Sequence, residues 1–216
     1  MIAIDGPVAS GKTAVGRALA VRLGYRFVDT GLMYRALTLV ALRNGINPRD
    51  GTALGKLAAE TEISIVTGPG GTAHVQAGGG EVTDALRTAE VDGAVSLVSQ
   101  IPAVRHAMVA QQRRIAEGGS VVMVGRDIGT KVLPEAAKVY LTASPAERAR
   151  RRHAELEATG SALPLGDVLE NLTLRDTLDA QRAEGPLRMA DDAVLVETEG
   201  LEIDDVVDAV VSRIGA

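Results

Sequence analysis

Residues 6–13 read GPVASGKT and fill the pattern G-x-x-x-x-G-K-[ST]. An apolar run, Ile2–Asp5, precedes them and a helical pattern from Lys12 to Leu23 follows, the context that gives such a loop its meaning. Gly6 and Gly11 let the backbone curl, so that the loop Gly6, Pro7, Val8, Ala9, Ser10, Gly11 aims successive N–H groups at one phosphate. The helix starting near Lys12 adds its positive end. Lys12 is expected to reach the β- and γ-phosphates, and the Thr13 hydroxyl to ligate magnesium. The chemistry implied is binding of a nucleoside triphosphate.

Such a loop serves kinases, GTPases and ATPases alike. No Asn-Lys-x-Asp run, which would read guanine, is present. The strongest buried-strand signal, VVMV at 121–124, ends in Gly125-Arg126-Asp127 and not in the Asp-Glu of a mechanical ATPase. An arginine there suits a second phosphate better than a water, which favours phosphoryl transfer to a phosphorylated acceptor. Taken alone, Arg126-Asp127 also fits a local salt bridge.

The elements that must position these residues follow from the pattern of the whole chain. Its 216 residues suit one domain with an insertion, and 46% hydrophobic with 24% charged residues is a globular balance. There are no cysteines, which removes thiol catalysis and disulfide scaffolds. A net charge of −5 speaks against a nucleic-acid partner, although Arg outnumbers Lys 19 to 4. No apolar run reaches the ~20 residues of a membrane span, and no basic region precedes MIAIDGPVASGKT; a cytoplasmic protein without membrane contact is expected. His74, His106 and His153 lack metal-ligand spacing.

Short strands are expected at Ile2–Asp5, Tyr25–Val28, Val121–Val124, Val139–Thr142 and Val194–Val196, alternating with helices. That alternation predicts a parallel sheet covered on both faces. From about residue 45 to 90 the texture changes: Ile63–Val66 and Ala73–Ala77 alternate, separated by GPGG at 68–71 and followed by GGG at 78–80. A small antiparallel sheet is expected there, as an insertion. Ser144-Pro145-Ala146-Glu147 reads as a capping box opening an arginine-rich helix, and Gly166–Glu184 as a long helix.

With these residues assembled, the chain resembles the bacterial cytidylate kinases (CMP/dCMP kinases) of the nucleoside monophosphate kinase group. Beyond the P-loop the resemblance rests on VDTGLMYRA at 28–36, EVTDALRTAEV at 81–91, SLVSQIPAVR at 96–105 and GRDIGT at 125–130. It continues with SPAERARRR at 144–152, RDTLDAQR at 175–182 with PL at 186–187, and DDAVLVET at 191–198. The blocks run in family order over nearly the whole chain. The resemblance implies an α/β P-loop three-layer fold with a central parallel sheet. Its core would comprise 1–35, 91–143 and 161–216, with a monophosphate-binding insertion at 36–90 and a helical lid at 144–160. It implies transfer of the γ-phosphoryl group of ATP to CMP or dCMP with Mg2+, by a monomer. Ser96, Arg105 and Asp127 would read cytosine. Arg35, Arg126 and Arg182 would grip the monophosphate, with Lys12 between donor and acceptor. Thr30, Arg175 and Asp179 would hold the ribose, and Arg148, Arg151 and Arg152 would close over the ATP phosphates. Ala9 stands where many members carry glycine; a small residue is expected to fit.

Physical chemistry speaks to some of these roles directly. A carboxylate accepts from the 4-amino group of cytosine and repels the carbonyl of uracil, so Asp127 suits that selection. Positions 175, 179 and 182 are spaced four and three apart and are expected on one helix face; Arg148, Arg151 and Arg152 are expected to point the same way. Both sets also fit solvated helix faces. Two rivals stay open on the residues alone: a P-loop kinase for another acceptor, such as UMP, AMP or shikimate, and a regulatory module that binds nucleotides without turnover.

Overall fold

The computed structural model describes residues 1–68, 72–158 and 160–215. Most of the GPGG turn, 69–71, lies outside them. The elements are β1 (Ile2–Asp5), α1 (Lys12–Leu23), β2 (Arg26–Asp29), α2 (Thr30–Arg43), α3 (Gly51–Glu60), β3 (Ile63–Thr67), β4 (Ala73–Ala77) and β5 (Gly80–Glu81). They continue with α4 (Ala89–Val98), α5 (Pro102–Ala116), β6 (Val121–Gly125), β7 (Ala137–Thr142), α6 (Pro145–Ala158), α7 (Leu165–Gln181), β8 (Val194–Glu197) and α8 (Ile203–Ile214). Two tight turns escaped the sequence reading, a 3-10 turn at Thr83–Arg87 and a π turn at Ile128–Val132.

The central sheet is parallel, in the order β2-β6-β1-β7-β8. Every residue of β1 and β6 is buried, as expected of strands covered on both faces. One face packs Val15 and Leu19 of α1 and Val206, Val207 and Val210 of α8 against Ile2, Ile4, Val122 and Val124. The other packs Val109 and Ala116 of α5 against Ala3, Val28, Val121 and Met123. Helix α1 lies close to the sheet because Gly16 has no side chain: a Cβ there would stand 2.6 Å from Val124 Cγ1 and 2.9 Å from Phe27 Cε2. Gly11, left-handed at φ 89°, opens α1, and Gly24 at φ 67° ends it.

The antiparallel sheet β3-β4-β5 forms as expected. It belongs to an apolar cluster that reaches from Met33 on α2 to Met108 on α5 and includes Leu54, Val75, Val91 and Val98. This packing unit extends past 36–90 on both sides. No helix among the described residues is long and apolar enough to cross a membrane.

Register fixes the site. Asp5 aligns with Gly125 and with Tyr140, and Asp29 with Val124. The P-loop, the start of α2, the Arg126-Asp127 turn and the approach to α6 therefore all leave the sheet at one rim, beyond the carboxyl ends of the strands.

Candidate active site

The loop after β1 is shaped by a close approach. Gly6, at φ 152°, runs past β7 so tightly that a Cβ would fall 2.1 Å from the Leu141 carbonyl oxygen. Ala9 adopts φ 57°, the left-handed region, where a side chain costs about 1–2 kcal/mol. A small residue does fit, but it is strained. Lys12 folds back on the loop, its Nζ donating to the Pro7 carbonyl (2.5 Å) and to Ser10 Oγ (3.3 Å). Burial, and then the nearby Arg126 guanidinium, push its ammonium well below the usual lysine range. Thr13 Oγ1 donates to Asp29 Oδ2 (2.8 Å), while Asp29 Oδ1 caps α2 by accepting from the Gly31 N–H (2.9 Å).

Asp5 holds the neighbouring turn. Its carboxylate accepts from the N–H groups of Ile128 (2.8 Å) and Gly129 (2.7 Å), which aims Arg126 and Asp127 into the cleft. Burial outweighs those two amides and raises the Asp5 pKa to about 6. Between about pH 4 and 6 the folded chain thus keeps a proton that the unfolded chain has released, and this group's contribution to stability is lost as pH rises. Urea unfolding of wild type and Asp5→Asn across that window tests it: wild type is expected to lose about 3 kcal/mol relative to the variant between about pH 4 and 6. A difference that stays flat contradicts the assignment.

Val8, Ala9, Ser10, Gly11, Lys12, Thr13, Thr30, Arg35, Ser96, Arg105, Arg126, Asp127, Arg152, Arg175, Asp179 and Arg182 line one cleft. Several of its arginines are held by carboxylates from other elements. Arg35 Nη2 meets Asp92 (2.5 Å) and Nη1 donates to the Leu86 carbonyl (3.0 Å). Arg152 reaches the other Asp92 oxygen (3.5 Å). Arg126 Nε donates to Asp179 Oδ2 (2.8 Å). Arg175 makes no ion pair among the described residues, and burial and the charges of Arg126 and Arg35 lower its pKa. Arg175 thus stands among like charges in a cleft, a setting that favours an anion.

At the far end, Asp127, 5% exposed, pairs with Arg105 (2.5 Å) and Arg182 (3.2 Å). The Arg105 guanidinium lies 5.6 Å from the centre of the Tyr34 ring, and its Nη1 donates to the Ser99 carbonyl (3.3 Å). The Thr30 hydroxyl donates to the Val124 carbonyl (2.9 Å), and Thr30 lines the cleft.

Two expectations from helical spacing are corrected. Helix α7 ends at Gln181, and Arg182 is extended (φ −64°, ψ 142°), so it does not share a helix face with Arg175 and Asp179. Its side chain is drawn instead to Asp127, to Asp179 (3.4 Å) and to the Gly185 carbonyl. Nor do the three arginines of α6 point the same way. Arg148 is buried, donating to the carbonyls of Ala143 (3.1 Å) and Val8 (3.0 Å) and pairing with Asp176 (2.6 Å). Arg151 donates to Glu147 (2.9 Å) and to the Thr198 carbonyl (2.6 Å). Only Arg152 of the three lines the cleft. Long side chains on neighbouring turns follow their partners, and α6 packs its Arg148–Ala149 side against α7.

The sequence reading missed Asp29, Tyr34, Arg87 and Ser99, which also line the cleft, and Asp92, which binds two of its arginines. Only Asp29 carried a local signal, as an acid between a strand and a helix start. His74 faces Glu81 (2.9 Å) and His153 faces Glu157 (3.4 Å), and no group of three or more His, Cys, Asp or Glu forms a metal cluster among the described residues.

With this geometry in hand, comparison with known proteins decides the family. The cytidylate kinase family model matches residues 2–216. The chain belongs to the cytidylate kinase family. A cytidylate kinase of Pelotomaculum thermopropionicum is 46% identical over 216 residues, covering 100% of this chain and 96% of that protein. One from Geobacillus kaustophilus is 49% identical over 210 residues, covering 97% and 93%. In a bifunctional pantoate ligase/cytidylate kinase of Synechococcus sp. CC9902, the matching region is 44% identical and makes up 44% of that longer chain. Among solved structures, a shikimate kinase from Bacteroides thetaiotaomicron aligns over 100% of this chain and 98% of its own with TM-score 0.51 at 13% identity. At that identity the likeness carries the fold alone: a three-layer P-loop kinase architecture that this cytidylate kinase family member shares.

Proposed function

We propose that this chain transfers the γ-phosphoryl group of ATP to CMP or dCMP, giving ADP and CDP or dCDP. The observation that carries this reading is the buried Asp127 at the end of β6, fixed by Arg105 and Arg182 within the cleft that the P-loop opens. Its carboxylate is an acceptor for the 4-amino group of cytosine, with Ser96 and Arg105 beside it. Arg35, Arg126 and Arg182 would take the monophosphate, and Thr30, Arg175 and Asp179 the ribose. The P-loop, Lys12 and Arg152 would take the ATP phosphates, with 144–160 as the lid and 36–90 as the monophosphate-binding insertion. Arg151 reaches the P-loop rim beside Gly11 and Thr198, at the donor end of the cleft.

The acceptor phosphate has a second pKa near ~6 and is already mostly an anion at neutral pH, so no general base is required. The obstacle is repulsion between two polyanions. The arginine cluster and Lys12 offset it, hold the reacting oxygens in line and stabilise the equatorial oxygens as transfer proceeds. The donors suit Mg2+: a hydroxyl on Thr13 beside a carboxylate on Asp29, hard oxygens that leave room for waters and phosphate. Thr13 and Asp29 would hold it, and it would supply charge neutralisation on the transferring phosphates. Both phosphate-binding clusters come from one chain, so a monomer suffices.

The test is product formation with ATP, magnesium and a panel of CMP, dCMP, UMP and AMP. Diphosphate from the cytosine nucleotides well above the others supports the reading, and its absence with CMP refutes it. In the same assay Arg182→Ala is expected to raise KM for CMP and lower turnover by about 100-fold or more while ATP binding stays intact. Unchanged CMP kinetics would remove Arg182 from the site.

A further inference from the structure

The P-loop is fastened from outside itself. Val8 donates its N–H to Asp176 Oδ1 on α7 (3.1 Å), and its carbonyl accepts from Arg148 Nη1 on α6 (3.0 Å). Arg148 closes the triangle on Asp176 Oδ2 (2.6 Å) and is 6% exposed. The Val8 side chain packs against the apolar cluster of Ala149, Val168 and Leu172 that joins α6 to α7. One loop residue is thus held by both backbone groups and its side chain, all by the same helical hairpin.

That hairpin also faces the acceptor half of the cleft. Arg175, next to Asp176, lines the cleft, and Asp179, less than one turn on, pairs with Arg126 and Arg182. Helix α7 therefore touches the donor loop through Asp176 and the acceptor cluster through Asp179. In-line transfer depends on the distance and angle between donor and acceptor, and a misplacement of about 1 Å costs on the order of 100-fold.

We propose that Asp176 is a positioning residue: it docks the P-loop onto α7, so that this helix sets the spacing between the two nucleotides. Asp176 does not line the cleft and touches neither reacting group. Its effect acts through Val8 and Arg148. The inference rests on the assignment of donor and acceptor given above.

The test is Asp176→Asn, which keeps the shape but removes the charge that holds Arg148. Turnover at saturating ATP and CMP is expected to fall about 10- to 100-fold. KM for CMP should stay close to wild type, because Arg175, Asp179 and Arg182 are untouched. A purely structural role would instead lower the melting temperature and leave the kinetics of the folded fraction intact. Val8→Ala, which removes only the apolar plug, is expected to shift turnover in the same direction by less. Combined with Asp176→Asn it should add little, since both changes release one junction. Turnover in Asp176→Asn within twofold of wild type, or losses in the double variant that multiply, overturns the proposal. Wild type assayed alongside separates the two readings. Inactive wild type sinks the assignment of the site, whereas active wild type with an indifferent Asp176→Asn sinks the junction alone.

Discussion

Asp127→Asn is expected to lower kcat/KM for CMP by about 30- to 1,000-fold and to narrow the preference for CMP over UMP. The carboxylate does two things at once. It offers an acceptor where cytosine carries its amine, and it neutralises Arg105 and Arg182 in a buried pocket. Asparagine keeps the volume but can donate as well as accept, so the carbonyl of uracil is no longer repelled. Alanine is the poorer probe. It strands two guanidinium groups, 3% and 9% exposed, without their shared anion. Breaking such a pair costs about 3–5 kcal/mol, so the loss would mix stability with specificity. Coupled-assay kinetics with both acceptors check the asparagine variant. A fall in CMP turnover with an unchanged CMP/UMP ratio would falsify the base-reading role and leave Asp127 as a structural counter-ion.

Lys12→Met is expected to lower turnover by about 100- to 1,000-fold while raising thermal stability. The two directions share one cause. Lys12 is buried with only the Pro7 carbonyl and Ser10 hydroxyl as partners and no carboxylate within ion-pair distance among the described residues. Its charge is disfavoured there, as its depressed pKa states. Methionine fills a similar volume without that penalty. The lysine is thus kept at a cost to the unliganded fold, and the ATP phosphates supply the missing anion. Melting curves and steady-state rates on one preparation decide it. Retained turnover, or a melting temperature that falls with it, contradicts this account.

Local signals carried much of the fold. Unbroken apolar runs gave the buried parallel strands, the helical pattern after the P-loop gave α1 from Lys12 to Leu23, and the Ser144 capping box opens α6 where the structure has it. The P-loop was legible because its chemistry depends on consecutive residues. What escaped was set by tertiary pairing. Gly185 and Pro186 announce the end of α7, but no local signal says that Arg182 already lies outside it with its side chain on Asp127, 55 positions away. Nothing near Arg148 shows that its partners are Val8, 140 positions away, and Asp176. Asp92 looks like an ordinary first-turn acid until Arg35 and Arg152 meet on it. Helical spacing says which side chains share a face. It does not say which of them find a partner that turns them aside.

The P-loop, the start of α2 and the Arg126-Asp127 turn leave one rim of the sheet, while the apolar clusters on its two faces are built from aliphatic side chains with Met123 and Phe27. Acceptor choice can therefore be altered at the excursion between β2 and β6, the Arg126-Asp127 turn and α7, without rebuilding the strands or the donor loop. The same fold occurs in a shikimate kinase at 13% identity. For an engineer, the same separation makes the rim the place to alter selectivity and the strands the place to leave alone.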